Sequence, residues 1–394
     1  MLAFTFPGQG SQRPGMGQPW VDHPSWELVA DASEVCERDL ARLLLDADQT
    51  ELNRTEHSQL AMFTLSLVIL DAIERVGIEP THAAGHSMGE YSALVASGAV
   101  SVEEGLLLVS QRGEAMQEAA DERPGTMAAI LGLDDDSVSA ACRRADSDVW
   151  VANYNAPGQV VIAGVPDAVE EAARIALGMG ARKIVLLEVG GAFHTQMMSP
   201  ARAGLRKALA EVNFHVPEMM VVANVDARPH DDPEEWPSLL SAQLWSPVRW
   251  RQTLEYLHGC GIRKVVEVGP GGVLSGIARR TLPDCQSMSV ATPGDLDLLV
   301  DALAGQGPLH AYAIEHPGEQ LYVSERLVVS PCSGLLVLAG GAAGEADDIA
   351  AGDLLGTVAG QDVRSPFTGR LMGMLAVDGE RVTPGQPIAW LRSA

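Results

Sequence analysis

The chain has 394 residues, with 27 Lys+Arg against 52 Asp+Glu and a formal net charge of -25. Hydrophobic residues make up 46% and charged residues 20%, which excludes general disorder, and the length suggests two or three domains. Such acidity argues against a nucleic-acid binder and against adsorption to an anionic membrane.

The N-terminus, Met1 to Pro7, lacks a basic and apolar signal segment, and no apolar run approaches the roughly 20 residues of a membrane-spanning helix. Five scattered cysteines without CxxC spacing read as free or buried thiols of a reducing compartment. A cytoplasmic location and no metal site are therefore expected.

Up to about residue 300, β-type runs alternate with helical patterns. Ala3–Phe6 reads as a strand, Gln59–Val76 as a buried helix, Thr81–Ala84 as a strand and Gly89–Ala96 as a helix. Further strands are expected at Met219–Asn224 and Lys264–Val268. This is the α/β pattern, most simply a largely parallel sheet flanked by helices. Between them, Thr126–Leu131, Asp135–Ala145, Val149–Asn153, Val160–Gly164, Asp167–Leu177 and Lys183–Glu188 follow a β-α-β-β-α-β order. That is the ferredoxin-like arrangement, set as a subdomain at 123–190 into a core of 1–122 and 191–295.

Gly- and Pro-containing stretches around Ala304–Pro308 and His316–Gly318 mark a linker at 296–324. The region 325–394 holds an internal repeat. Val328–Leu336 echoes Asp362–Leu371, and Ile349–Leu355 echoes Val382–Ile388, which implies a small pseudo-symmetric β-domain.

Gly85-His86-Ser87-Met88-Gly89 is a G-x-S-x-G sequence between an apolar strand and a helical run, the context of a nucleophile elbow. A serine nucleophile needs a base, and His194 lies on a loop after a strand, where sites are assembled. His86 reads as a hydrogen-bonded structural imidazole. Gly8-Gln9-Gly10 follows the first strand; taken alone it is equally compatible with a tight turn or with backbone donors for a reacting carbonyl. Gln111-Arg112-Gly113-Glu114 looks like an exposed helical surface.

Seven motifs occur in order: Phe6–Gln12, Gly85–Leu94, Gln111-Arg112-Gly113, Asn153–Gly164, Gly191–Thr195, Gln243–Trp250 and Glu267–Gly271. Together they closely resemble malonyl-CoA:acyl carrier protein transacylases and polyketide synthase acyltransferase domains, over about residues 1–295. The resemblance implies an α/β-hydrolase-like core and ping-pong transfer of malonyl from malonyl-CoA to an acyl carrier protein, in fatty-acid or polyketide synthesis. It makes Ser87 the nucleophile, His194 the base, and the backbone N–H groups of Gln9 and Met88 the oxyanion hole. The Gln243 backbone carbonyl would orient the base, Arg112 would grip the malonyl carboxylate, and Gln59 would lie near the substrate. Phe193 fits the form associated with malonyl-specific members. An acyl hydrolase or a transferase of another acyl group on the same scaffold is the alternative. A carrier protein, typically acidic, would need a local basic patch, for which Arg202, Arg206 and Lys207 are candidates, with Arg279 and Arg280 a second pair.

The repeat at 325–394 resembles biotinyl/lipoyl-type barrel-sandwich domains. Their attachment lysine sits on the hairpin between half-copies, where this chain reads Gly356-Thr357-Val358-Ala359-Gly360-Gln361-Asp362. Lys264 is the last lysine of the sequence, so no biotin or lipoate can be attached and no cofactor is expected. The domain is left as a folding or docking module, with a synthase module or an acyl-CoA carboxylase as possible partners. A third reading makes the whole chain an assembly-line scaffold acting through this domain.

Overall fold

The computed structural model describes residues 1–187, 189–304, 325–339, 348–350, 352–365, 368–377, 379–382 and 386–392. The chain divides into two units, Met1–His310 and Ala311–Ala394.

In the first unit six strands lie side by side in the order Gln286–Val290, Lys264–Val268, Leu2–Phe6, His82–Gly85, Met220–Val222 and Pro229–His230. The first four pairings are parallel and the last is antiparallel. Ala3, Phe4, Thr5 and Phe6 are all fully buried, as a central parallel strand covered on both faces requires. The strand expected at Met219–Asn224 is shorter, because Asn224 leaves the ladder and turns its amide to Gly85 and Ser87.

Two long helices cross within this unit. Thr55–Arg75 begins four residues before the expected Gln59; its polar first turn is buried, with Thr55 N–H donating to Gln117. Val102–Glu122 opens on a capping box, in which the Ser101 hydroxyl accepts from Glu104 N–H and donates to the Glu104 carboxylate. The face of this helix carrying Leu108, Val109, Arg112, Gly113 and Met116 is buried. The exposed setting expected for Arg112 is therefore corrected: the residue is 1% exposed.

The inserted segment forms a four-stranded antiparallel sheet in the order Val149–Ala156, Gln159–Gly164, Thr126–Leu131 and Lys183–Leu186. Helices Asp135–Arg144 and Pro166–Gly178 contribute Val138, Val169 and Ala172 to its own apolar core. The first strand runs beyond the expected Asn153 through two register shifts. There Tyr154 N–H donates to Val248 O, and Val248 N–H to Ala152 O, each at 2.9 Å, tying the insert to the core. Glu188 lies outside the described residues.

The linker expected from residue 296 starts too early. Pro293–Ala304 is a helix, with Leu296 and Leu299 buried in the main core. A Thr-x-x-Asp cap starts it: Asp295 N–H donates to Thr292 Oγ1, and Thr292 N–H to Asp295 Oδ2. The rest of the expected linker, 305–324, lies outside the described residues.

Among its described residues the second unit has two antiparallel four-stranded sheets. One runs Glu325–Val329, Pro387–Arg392, Gly369–Met374 and Asp348–Ile349; the other runs Gln361–Arg364, Leu354–Val358, Gly334–Leu338 and Arg381–Val382. Moving each strand four places along the unit's eight strands converts the first order into the second, the symmetry the repeat implied. The halves also interlock: Ser330 N–H donates to Gln386 O at 2.8 Å and Ser365 N–H to Asp353 O at 2.9 Å. Each serine turn is thus hooked to the Gly-polar turn of the other copy. The hairpin from Leu354–Val358 to Gln361–Arg364 turns at Ala359 and Gly360, with φ of 52° and 83°, the tight two-residue form. The Pro366-Phe367 and Thr383-Pro384-Gly385 segments of the repeat lie outside the described residues.

Two glycines let the strand His82–Gly85 turn into the helix Gly89–Ala96. A Cβ at Gly85 would lie 1.8 Å from the Gly89 carbonyl, and one at Gly89 would lie 2.0 Å from Phe6 O. Gly89→Ala is expected to lower stability by about 1–3 kcal/mol or more through overpacking. Gly276→Ala, in the helix Val273–Thr281 with nothing nearer than an arginine tip at 3.9 Å, is expected to be neutral or stabilising. Urea unfolding of the two variants checks this; equal midpoints would contradict it.

Candidate active site

Ser87 occupies the corner of this turn with φ of 54°, a left-handed conformation that aims its side chain away from the strand and helix axes. Asn224 clamps the corner from both ends. Its Oδ1 accepts from Ser87 N–H at 2.8 Å and its Nδ2 donates to Gly85 O at 2.7 Å.

Ser87 Oγ lies 2.7 Å from His194 Nε2, and His194 Nδ1 lies 2.8 Å from Gln243 O. A carbonyl oxygen only accepts, so Nδ1 carries the proton and Nε2 presents its lone pair to the serine hydroxyl. Burial, with the nearby Arg112 charge, pushes the His194 pKa down to about 3, while the Gln243 carbonyl pulls it up. The imidazole is neutral at neutral pH, ready to take a proton. His194 follows the buried Ala192 and Phe193 and precedes the short helix Gln196–Ala201, which Thr195 caps.

Arg112 reaches the same point from the helix Val102–Glu122. Its Nη2 donates to Ser87 Oγ at 3.2 Å and to Gln243 Oε1 at 2.9 Å, and its Nη1 donates to Gln59 Oε1 at 2.5 Å. Its guanidinium also lies over the Tyr91 ring, 5.2 Å from the centroid. All three hydrogen-bond acceptors are neutral, and burial lowers the Arg112 pKa from its usual value. A buried cation without a carboxylate at its nitrogens is a ready seat for an anionic ligand group.

Ser87, Met88, Gln9, Gln59, Arg112, Phe193 and His194 line one cavity of about 80 Å³. All of the side chains expected at the site thus converge, and Gln243 stands directly behind them. The Gly8–Gly10 loop is pressed against the elbow, since a Cβ at Gly8 would sit 2.4 Å from His86 O. His86 turns away, with its Nε2 at 2.9 Å from Asn155 Oδ1 and its ring edge-on to Trp250. A larger cleft of about 520 Å³, bordered by Arg143, Trp150, Trp245 and His194, opens beside the cavity. Among the described residues no cluster of His, Cys, Asp and Glu could hold a metal ion.

Of the basic residues considered for a docking patch, Arg206 and Lys207 are exposed in the last turn of the helix Arg202–Leu209. Arg202 is half-buried, its guanidinium 3.9 Å from the Trp245 ring centroid. Arg279 and Arg280 are exposed, with Arg280 donating to Gln159.

Three contributors escaped the sequence reading: Glu90, Asn224 and the Gln243 side chain. Glu90 is buried, accepting from Asn224 N–H at 2.9 Å and from Gln243 Nε2 at 2.5 Å. Burial pushes its pKa up to about 7 against those hydrogen bonds and the Arg112 charge. The available signal was a lone carboxylate in the otherwise uncharged run Gly89–Ala96. Asn224→Leu would leave Ser87 N–H and Gly85 O unpaired, at about 1–3 kcal/mol per buried group. A loss well under 1 kcal/mol in urea unfolding would contradict the clamp.

Known proteins are similar to this chain over most of its length. A family model described as an acyl transferase domain matches residues 3–300. The malonyl CoA-acyl carrier protein transacylase of Bacillus subtilis is 36% identical over 307 residues, 77% of this chain and 97% of the relative. An acyl carrier protein S-malonyltransferase structure from Vibrio cholerae has a TM-score of 0.73 and 39% identity, covering 76% of this chain and 99% of that one. A malonyl-transacylase solved in complex with its type II polyketide synthase acyl-carrier protein gives 0.74 and 36%, over 76% and 99%. The chain belongs to the acyl transferase domain family and, within it, to the malonyl-CoA:acyl carrier protein transacylases.

Proposed function

We propose that the chain transfers malonyl from malonyl-CoA to the phosphopantetheine thiol of an acyl carrier protein through a malonyl-Ser87 ester. The observation that carries this reading is the Ser87–His194 pair sharing one small cavity with a buried, carboxylate-free Arg112.

Ser87 Oγ attacks the thioester carbonyl while His194 Nε2 takes its proton. The carbonyl oxygen, now an anion, is held by the N–H groups of Gln9 and Met88; among the described residues neither has a protein acceptor. Collapse of this intermediate expels the CoA thiolate, which takes the proton back from His194 and leaves the serine ester. The carrier thiol then repeats the steps in reverse, giving its proton to His194 and releasing Ser87. A backbone carbonyl at Nδ1 does the orienting work of the acid in a Ser-His-Asp triad. No metal or organic cofactor enters these steps.

Arg112 would hold the free carboxylate of the malonyl group, with Gln59 and Gln243 fixing the guanidinium plane. Phe193, buried at the cavity wall, would fill the space that an α-branch needs, a filter of about 1–3 kcal/mol. The 520 Å³ cleft is a suitable path for the arm carrying the thioester.

The same reading names the folds. A parallel sheet with a serine elbow supports an α/β-hydrolase-like core, and the order β-α-β-β-α-β supports a ferredoxin-like insert. Two symmetric sheets with a hairpin at Ala359-Gly360 support a biotinyl/lipoyl-like second unit without an attachment lysine. Among the described residues no helix is long and apolar enough to cross a membrane, and the free cysteines suit a cytoplasmic setting. Fatty-acid and polyketide synthesis are the pathways this transfer would serve, with Arg206 and Lys207 available to an acidic carrier. The second unit would dock a synthase module or an acyl-CoA carboxylase.

Incubation with radiolabelled malonyl-CoA and acetyl-CoA tests the core of the reading. Ser87→Ala is expected to abolish labelling, and Arg112→Ala to reduce malonyl labelling selectively, by about two orders of magnitude for a lost charge-assisted pair. Label surviving Ser87→Ala would defeat the mechanism. Truncation after Ala304, which keeps the whole of the last core helix, should leave transfer to an isolated carrier protein unchanged and slow transfer to a module-embedded one. Equal rates on both would remove the docking role.

A further inference from the structure

The Gln243 amide is engaged on every side. Its Nε2 donates to Ser87 O at 2.7 Å and to Glu90 Oε2 at 2.5 Å, its Oε1 accepts from Arg112 at 2.9 Å, and its backbone O accepts from His194 at 2.8 Å. An amide's two ends have nearly the same shape, so partners decide which way it faces. A guanidinium only donates, and both Glu90 oxygens face N–H groups, so the Gln243 amide has one orientation between them. The other Glu90 oxygen accepts from Asn224 N–H, and the Asn224 side chain holds Ser87 N–H and Gly85 O. Glu90, Gln243 and Asn224 are each 1% exposed or less, so water offers none of them a substitute partner.

We infer that Glu90 is a positioning residue for acyl selection: one carboxylate oxygen sets the Gln243 amide, and through it Arg112, while the other sets Asn224, and through it the Ser87 corner. The assignment rests on the malonyl transfer proposed above. Glu90 is also the counter-charge of Arg112 at one amide's remove. The guanidinium keeps its nitrogens free of carboxylate for the acyl group, yet is not an isolated charge in the core. A carboxylate in direct contact with Arg112 would occupy the seat; none at all would leave the cation uncompensated.

Glu90→Gln isolates this role because it keeps the shape and removes one acceptor. An amide at this position can accept from Asn224 N–H or from Gln243 Nε2, and not from both. If it accepts from Asn224, the Gln243 amide must turn over, set N–H groups against Arg112 and withdraw its own bond from Ser87 O, which keeps only the Glu90 N–H. If it accepts from Gln243, two N–H groups oppose each other at Asn224. One arm of the network breaks in either case.

The experiment uses the full chain and compares initial rates of labelling from radiolabelled malonyl-CoA and acetyl-CoA in wild type, Glu90→Gln, Gln243→Met and the double variant. For Glu90→Gln the malonyl kcat/KM is expected to fall about 10- to 100-fold, as for a catalytic group moved by a fraction of an ångström. The malonyl-to-acetyl ratio should fall about tenfold, because an acetyl group makes no use of Arg112. The double variant should be no worse than the more severe single one, since without the Gln243 amide the substituted side chain can keep its bond from Asn224 N–H and nothing competes for it. An unchanged ratio, with both acyl groups slowed alike, would reduce Glu90 to a structural residue and overturn the inference; so would multiplicative single effects. Should Glu90→Gln fail to fold by thermal melting, Gln243→Met must still lose malonyl selectivity, and its retention would overturn the inference. Absence of malonyl labelling in the wild type would instead remove the proposed function itself.

Discussion

A guanidinium sealed in the core with amides and, among the described residues, no carboxylate at its nitrogens is the constraint around which the first unit is organised. Removing a cation from water costs several kcal/mol unless its donors are satisfied. Arg112 is met by Gln59 from one helix and by Gln243 from another, with the Tyr91 ring beneath it and Glu90 one hydrogen bond further away. The arrangement stabilises the charge enough to fold around it, yet leaves the seat beside Ser87 for an anion. The overall acidity of the protein sharpens the point, because among the described residues no carboxylate bonds to this cation.

The same few residues answer for the nucleophile. A serine at φ 54° is a strained residue, and the corner is held by its surroundings. Two glycines remove the collisions with Phe6 and within the turn, and Asn224 ties the corner's N–H and carbonyl. His194 is oriented by the backbone of Gln243, whose side chain already serves Arg112. Ser87, His194 and Asn224 are thus tied to one another through Gln243 and Glu90.

The second unit rests on a different device. A duplicated strand-turn-strand segment cannot bury its apolar face alone; two copies do so by exchanging turns, Ser330 with Gln386 and Ser365 with Asp353. The result is a symmetric pair of sheets with an apolar core containing Leu336, Val358, Leu371 and Leu391. Its central hairpin turns at Ala359 and Gly360, both in the left-handed region.

Much of this was legible in residue order. The elbow needs Gly-x-Ser-x-Gly between a strand and a helix, a local pattern written in consecutive residues, and the helix Gly89–Ala96 has the expected bounds. Thr126–Leu131 and Lys264–Val268 likewise match, because apolar β-type runs between turns are short-range signals. The end of the core at residue 295 was misjudged because Gly-rich composition outweighed a four-residue cap, Thr292 to Asp295, that starts one more helix. What no local pattern contains is partnership across the chain. Arg112 sits in a segment that reads as a solvated helix face and is buried because distant elements, the helix Thr55–Arg75 foremost, pack against its helix. Glu90 and Asn224, 134 residues apart, meet through one N–H, and Glu90 meets Gln243 across 153. Sequence by itself determined which groups could do acyl transfer and where the backbone must turn. Only the tertiary structure decided which carboxylate would stand behind which amide, since burial and hydrogen-bond pairing depend on how distant segments pack.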